Sequence, residues 1–148
     1  MNSNDLISIL GLDTSEISIA IYKGTTSPSF RKFVSECVVW CVSGIDWMQT
    51  PYAYQKAVGT DANLLEAGLS SLLSDYKLAG TFTLNFNHYD DDIEITGNIR
   101  ELFNILVTVF VSEEIWATDF LIYSSDLRKC IEVYHEGFLT FCGSCNCK

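Results

Sequence analysis

The chain has 148 residues, 48% of them hydrophobic and 19% charged, with a formal net charge of -10. That length suits one domain, residues 1–148, with a core able to stand without staples, and the hydrophobic content excludes wholesale disorder. Between Phe33 and Leu127 fourteen acids face three bases, Lys56, Lys77 and Arg100; such a field repels phosphates and excludes direct nucleic-acid binding as the leading expectation.

In chain order, Asn4 is placed to cap a short helix through Leu10, with Gly11 ending it. Ile17-Ser-Ile-Ala-Ile21 alternates strictly and reads as a strand, although the same residues could also continue the first helix. Ser27-Pro28 opens a helix whose stripe is Phe30, Phe33, Val34, Cys37 and Cys41; Val38, Val39, Trp40 and Val42 make its later part apolar all round, and Gly44 ends it. Thr50-Pro51 starts another short helix through Val58. Thr60 or Asp61 caps the next, lined by Leu65, Leu69, Leu72, Leu73 and Tyr76.

Gly80 marks a change of period. From Thr81 to Tyr89 the alternation is strict, with Phe82, Leu84, Phe86 and His88 on one side, which predicts a half-buried antiparallel strand. Asp90-Asp91-Asp92 turns the chain into Ile93-Glu94-Ile95, its hairpin partner. Asn98 followed by Glu101 resembles a capping box for a helix carrying Ile99, Leu102, Phe103, Leu106 and Phe110. The β-branched run within Ile105–Val111 is compatible with a switch from helix to strand. Phe120–Tyr123 reads as a strand, and Cys130–His135 with Phe138–Cys142 as a hairpin around Glu136-Gly137. The fold class is α+β: a mostly helical N-terminal half packed on an antiparallel sheet of about five strands from the C-terminal half.

The start Met-Asn-Ser-Asn-Asp has no basic segment, Leu6–Leu12 has no cleavage pattern, and Ile105–Val111 is too short and is broken by Thr108. A cytoplasmic protein with no membrane contact is expected, its cysteines at 37, 41, 130, 142, 145 and 147 reduced.

No nucleophile elbow, P-loop or dinucleotide turn is present, so no catalytic residue is expected. His88, Asp90, Asp92 and Glu94 would share one face of an extended strand and offer oxygen and imidazole ligands. The turn expected among them would scatter those side chains. The tail Cys142-Gly-Ser-Cys145-Asn-Cys147 has C-x-x-C and C-x-C spacing but no second knuckle. No metal or other cofactor is therefore expected; a small metal- or thiol-dependent enzyme built on one of these two clusters is the alternative. Asp46–Tyr54 concentrates Trp47, Met48, Tyr52 and Tyr54 in a loop-like segment, the composition of an interface core or of rings capping the helices.

The size, the acidity and the closing hairpin Cys130-Ile-Glu-Val-Tyr-His-Glu-Gly-Phe-Leu-Thr-Phe141 resemble the immunity proteins of bacterial polymorphic toxin and contact-dependent growth inhibition systems. That resemblance implies a stoichiometric inhibitor, not an enzyme, whose partner is a basic toxin domain, often a nuclease. On such a reading Asp90, Asp91, Asp92, Glu94, Glu113 and Glu114 steer or occupy a basic cleft, and Trp47, Tyr52 and Tyr54 anchor the complex.

Overall fold

The computed structural model describes residues 1–41 and 44–145. Val42, expected in the second helix, and Cys147 of the tail lie outside the described residues. The elements are α1 (Ser3–Leu10), β1 (Ser18–Tyr22), α2 (Pro28–Cys37), β2 (Tyr54–Ala57), α3 (Ala62–Asp75), β3 (Thr81–His88), β4 (Asp91–Asn98), α4 (Ile99–Phe110), β5 (Phe120–Ser124), β6 (Lys129–Tyr134) and β7 (Phe138–Cys142). The strands form one seven-stranded sheet in the order β1-β4-β3-β5-β6-β7-β2, antiparallel throughout. The α+β expectation holds, but the strand number and the division of the chain do not. β1 and β2 come from the N-terminal half and form the two edges of a sheet whose centre is C-terminal.

Four local expectations are settled differently or narrowed. The helix expected over Thr50–Val58 is instead strand β2, paired from Tyr54↔Phe141 to Ala57↔Phe138; Thr50 and Pro51 precede it in a turn. α2 stops at Cys37 because Val38 is extended (φ -135°, ψ 165°), and β-branched residues follow from there. α4 runs helical to Phe110 with no switch to strand, since Ile105, Leu106 and Val109 are all buried at helical spacing. The first helix is capped by Asn2, not Asn4, in a reciprocal box with Asp5.

Alternation sorts each strand between two faces. On one face Phe82, Leu84 and Phe86 of β3, Ile93 and Ile95 of β4, and Phe120 and Ile122 of β5 meet Leu6 of α1, Leu65, Leu69 and Leu72 of α3, and Leu102 and Leu106 of α4. This is the main core. On the other face Phe33 and Cys37 of α2 pack with Val38 and Ile45 over Leu121, Tyr123, Cys130, Cys142 and Cys145. The central strands are therefore covered on both sides. Among the described residues no helix is long and apolar enough to cross a membrane.

Candidate functional site

The face beneath α2 carries most of the buried polar groups among the described residues. Ile93 and Ile95 fill the main core, so strand alternation forces Asp92 and Glu94 onto the opposite side. Register places Glu94, Asn85, Leu121, Glu132, Thr140 and Gln55 in one row across six strands. Asp92 stands beside Asn87 in the next row.

The start of α2 supplies donors to two of these acids. The Ser27 backbone N–H donates to Asp92 Oδ2 at 2.6 Å, and the Ser29 hydroxyl donates to Glu94 Oε1 at 3.0 Å. Asn85 Nδ2 donates to both, at 2.9 Å to Asp92 and 3.3 Å to Glu94, and the Tyr123 hydroxyl donates to Glu94 at 2.6 Å. The positive end of the α2 dipole adds to these bonds. Glu132 accepts from Ile45 N–H and from the Trp47 indole, each at 2.9 Å, and so ties the 44–47 loop to the sheet.

Burial pushes the Asp92 carboxyl above its ordinary value, against the hydrogen bonds from Ser27 and Asn85, and burial does the same to Glu132 against Ile45 and Trp47. Tyr123 is raised as well, first by burial and then by its bond to Glu94. The folded chain therefore holds protons on Asp92 and Glu132 more readily than the unfolded chain does. Their stabilising share is full below the unfolded values near 3.8 and 4.5 and is lost as pH rises through the higher folded values. Urea unfolding followed from pH 7 down to about pH 5 should show stability increasing, with a shallower slope in Asp92→Asn. A stability that does not rise over that interval would show these carboxyls titrating as they do in the unfolded chain.

Beside this network lies a half-open cavity of about 190 Å³, lined by Phe30, Trp40, Asn85, Asn87, Asp92, Asp119 and Glu132 together with Thr26, Phe120 and Leu121. Asn87 and Asp119 also line a neighbouring groove with Tyr89, Trp116, Ala117 and Thr118. Tyr89 is 81% exposed and Trp116 80%. Tyr89 also holds a left-handed backbone (φ 55°) in the β3–β4 turn, a position that favours glycine or asparagine and costs a tyrosine about 1 kcal/mol. Asp119 accepts from the His135 backbone N–H at 2.7 Å and meets its Nδ1 at 3.0 Å.

The residues picked out from the sequence are dispersed. Asp90, Glu113 and Glu114 are exposed. Asp91 is occupied by Lys23 Nζ and Gly24 N–H, each at 3.0 Å, which hold its carboxyl low. Asp92 and Glu94 are buried, so they do not belong to a solvated acidic turn. Trp47 is committed to Glu132 and stacks edge-on with the half-exposed Tyr52 at 6.0 Å. Tyr54 lies on the main-core side next to Tyr76, away from both. Met48 of the same segment is 98% exposed.

The metal-like cluster is divided as well. His88 pairs with Asp91 at the end of the hairpin and follows Phe86 on the main-core side, opposite Asp92 and Glu94. Among the described residues no group of three or more His, Cys, Asp or Glu side chains is placed to hold a metal ion. Of the tail cysteines, Cys142 sits across from Cys130 and Cys145 Sγ lies 3.4 Å from Cys130 Sγ, all three buried. Burial, then hydrogen bonds with Cys142 and Cys145, holds the Cys130 thiol well above its usual range; Cys41, Cys130, Cys142 and Cys145 are in no disulfide.

Trp40, Asn85, Asn87, Tyr89, Trp116, Asp119 and Glu132 were not among the expected site residues. Leu121 and Tyr123 offered the one sequence signal for this face. Phe120-Leu-Ile-Tyr123 is apolar without alternation, the mark of a strand covered on both sides. No protein-family model, curated protein or solved structure matches the chain.

Proposed function

We propose that this chain is an immunity protein: an acidic, non-catalytic inhibitor that binds one basic toxin domain, with a nuclease as the favoured toxin. The observation that carries this reading is the pairing of Tyr89 and Trp116, two exposed aromatics that line one groove from two loops, with acids in the same two loops. Asp90 follows Tyr89; Glu113 and Glu114 precede Trp116, and Asp119 lines the groove, which no Lys or Arg among the described residues lines. Exposed aromatics supply buried area on binding, while surface acids steer a basic partner and reject phosphate. The strained backbone at Tyr89 supports the same reading, since a turn selected for stability alone would favour a smaller residue there. On this reading the acids at the groove are Asp90, Glu113, Glu114 and Asp119.

Co-expression with the C-terminal domain of a secreted toxin encoded beside this gene tests the reading. Expected results are restored growth and a one-to-one complex on size exclusion. Asp90→Asn/Glu113→Gln/Glu114→Gln should slow association by roughly tenfold at low salt and flatten its salt dependence. Growth arrest that continues in the presence of abundant folded protein would overturn the proposal.

A further inference from the structure

The cavity beneath α2 has a composition that neither the fold nor the thiol cluster requires. Asp92, Asp119 and Glu132 line it, and among the described residues no Lys, Arg or His does, although His135 meets Asp119 without lining the cavity. Phe30 and Trp40 form an aromatic wall, edge to face at 5.6 Å, with Trp40 itself 40% exposed. The volume of about 190 Å³ exceeds the roughly 150 Å³ that accommodates a benzene ring, so a planar group of that size fits. Asp92 and Glu132 each have their oxygens engaged by neutral donors, which leaves their negative charge without a countercharge in a partly desolvated place. A cation brought there gains from that field more than it would at an exposed carboxylate.

We propose that this cavity is a receptor for a guanidinium group, the arginine side chain of a bound protein, seated against Phe30 and Trp40 and hydrogen-bonded to the carboxylates of Asp92, Asp119 and Glu132. Three features select a guanidinium over an ammonium. A guanidinium is planar and weakly hydrated, it stacks on aromatic rings, and its five donors fork toward several acceptors at once. Asn87 adds a carboxamide at the mouth, shared with the Tyr89–Trp116 groove. A basic protein lying along that groove therefore has the cavity directly beside it. This deepens the inhibitor reading, on which it rests for the partner's identity, by stating which side chain the partner presents.

Capped tripeptides Gly-Arg-Gly, Gly-Lys-Gly and Gly-citrulline-Gly, with free agmatine, serve as probes in calorimetric titration at low salt. The arginine peptide should bind, and the citrulline peptide, equal in shape but uncharged, should bind roughly tenfold more weakly or worse, with lysine between. Asn87→Arg and, from a different element of the lining, Thr26→Arg should each fill the cavity with a tethered guanidinium and abolish peptide binding, with thermal melting confirming that each variant is folded. Equal affinity for the arginine and citrulline peptides, or binding that survives both substitutions, overturns the proposal. Agmatine binding tenfold or more tighter than the arginine peptide would assign the cavity to a free small guanidine and also overturn it. The toxin complex separates this inference from the reading it deepens. If Asn87→Arg excludes the peptide yet leaves the toxin complex intact, the arginine receptor falls and the inhibitor reading stands. If arginine selectivity is found in a chain that gives no protection from the toxin, the inhibitor reading falls and the receptor stands.

Discussion

Asn85→Leu is expected to lower the unfolding free energy by about 3 kcal/mol. Among the described residues the Asn85 carboxamide is the only side chain seen donating to both Asp92 and Glu94, two buried carboxylates on one strand face. Leucine matches its volume but leaves two like charges facing each other without that shared donor. Ser27, Ser29 and Tyr123 still donate, so collapse of the fold is not expected. Urea denaturation at pH 7 should show a lower midpoint with an unchanged slope, and thermal melting a fall of roughly 10 °C for a domain of this size. Adding Asp92→Asn to Asn85→Leu should recover part of the loss, because removing one charge removes the repulsion. A loss under about 1 kcal/mol would show that the carboxylates do not depend on this bridge.

Trp116→Ala is expected to speed dissociation of the toxin complex about thirtyfold, an anchor loss of about 2 kcal/mol, with little change in association. Its exposure in the free chain means that stability should stay within about 0.5 kcal/mol of wild type. Trp47→Ala should behave in the opposite way. It removes a donor from the buried Glu132 and a ring contact from Tyr52, so it lowers stability before it affects any complex. Dissociation kinetics from immobilised toxin domain, paired with melting of each variant, distinguishes the two tryptophans. Unchanged dissociation for Trp116→Ala would remove that ring from the anchor role.

Much of the fold was legible where one period ran long enough. Phe82, Leu84 and Phe86 announced β3, the leucines of α3 and α4 announced their helices, and Gly137, at φ 90°, marked the β6–β7 turn. β2 was not legible. Tyr54-Gln-Lys-Ala57 has little strand propensity, and Thr50-Pro51 before it fits a helix start as well as a turn. What makes it a strand is the open edge of β7, more than eighty residues away in the chain. The site was hidden for a related reason. Asp92 and Glu94 alternate with isoleucines, which correctly puts them off the main core, and the second face of an antiparallel sheet is usually solvated. Only the placement of α2 over that face converts two apparent surface acids into buried ones. Trp116 follows the buried Ile115 in a loop with no period at all, so nothing in its neighbours foretold its exposure.

Both outer strands of the sheet belong to the first half of the chain and both of their neighbours to the second. Gln55 and Thr140, bonded through their side chains, are 85 residues apart in sequence, and β1 waits for β4 in the same way. On the ribosome, at roughly 5–20 residues per second, the first half emerges several seconds before the strands that will hold it. During that time β1, α2 and β2 expose apolar stripes with nothing to cover them. The sheet thus closes only after β7 has been made, with a rate limited by long-range pairing. A truncation that removes β7 would leave β2 without a docking site at the other end of the chain.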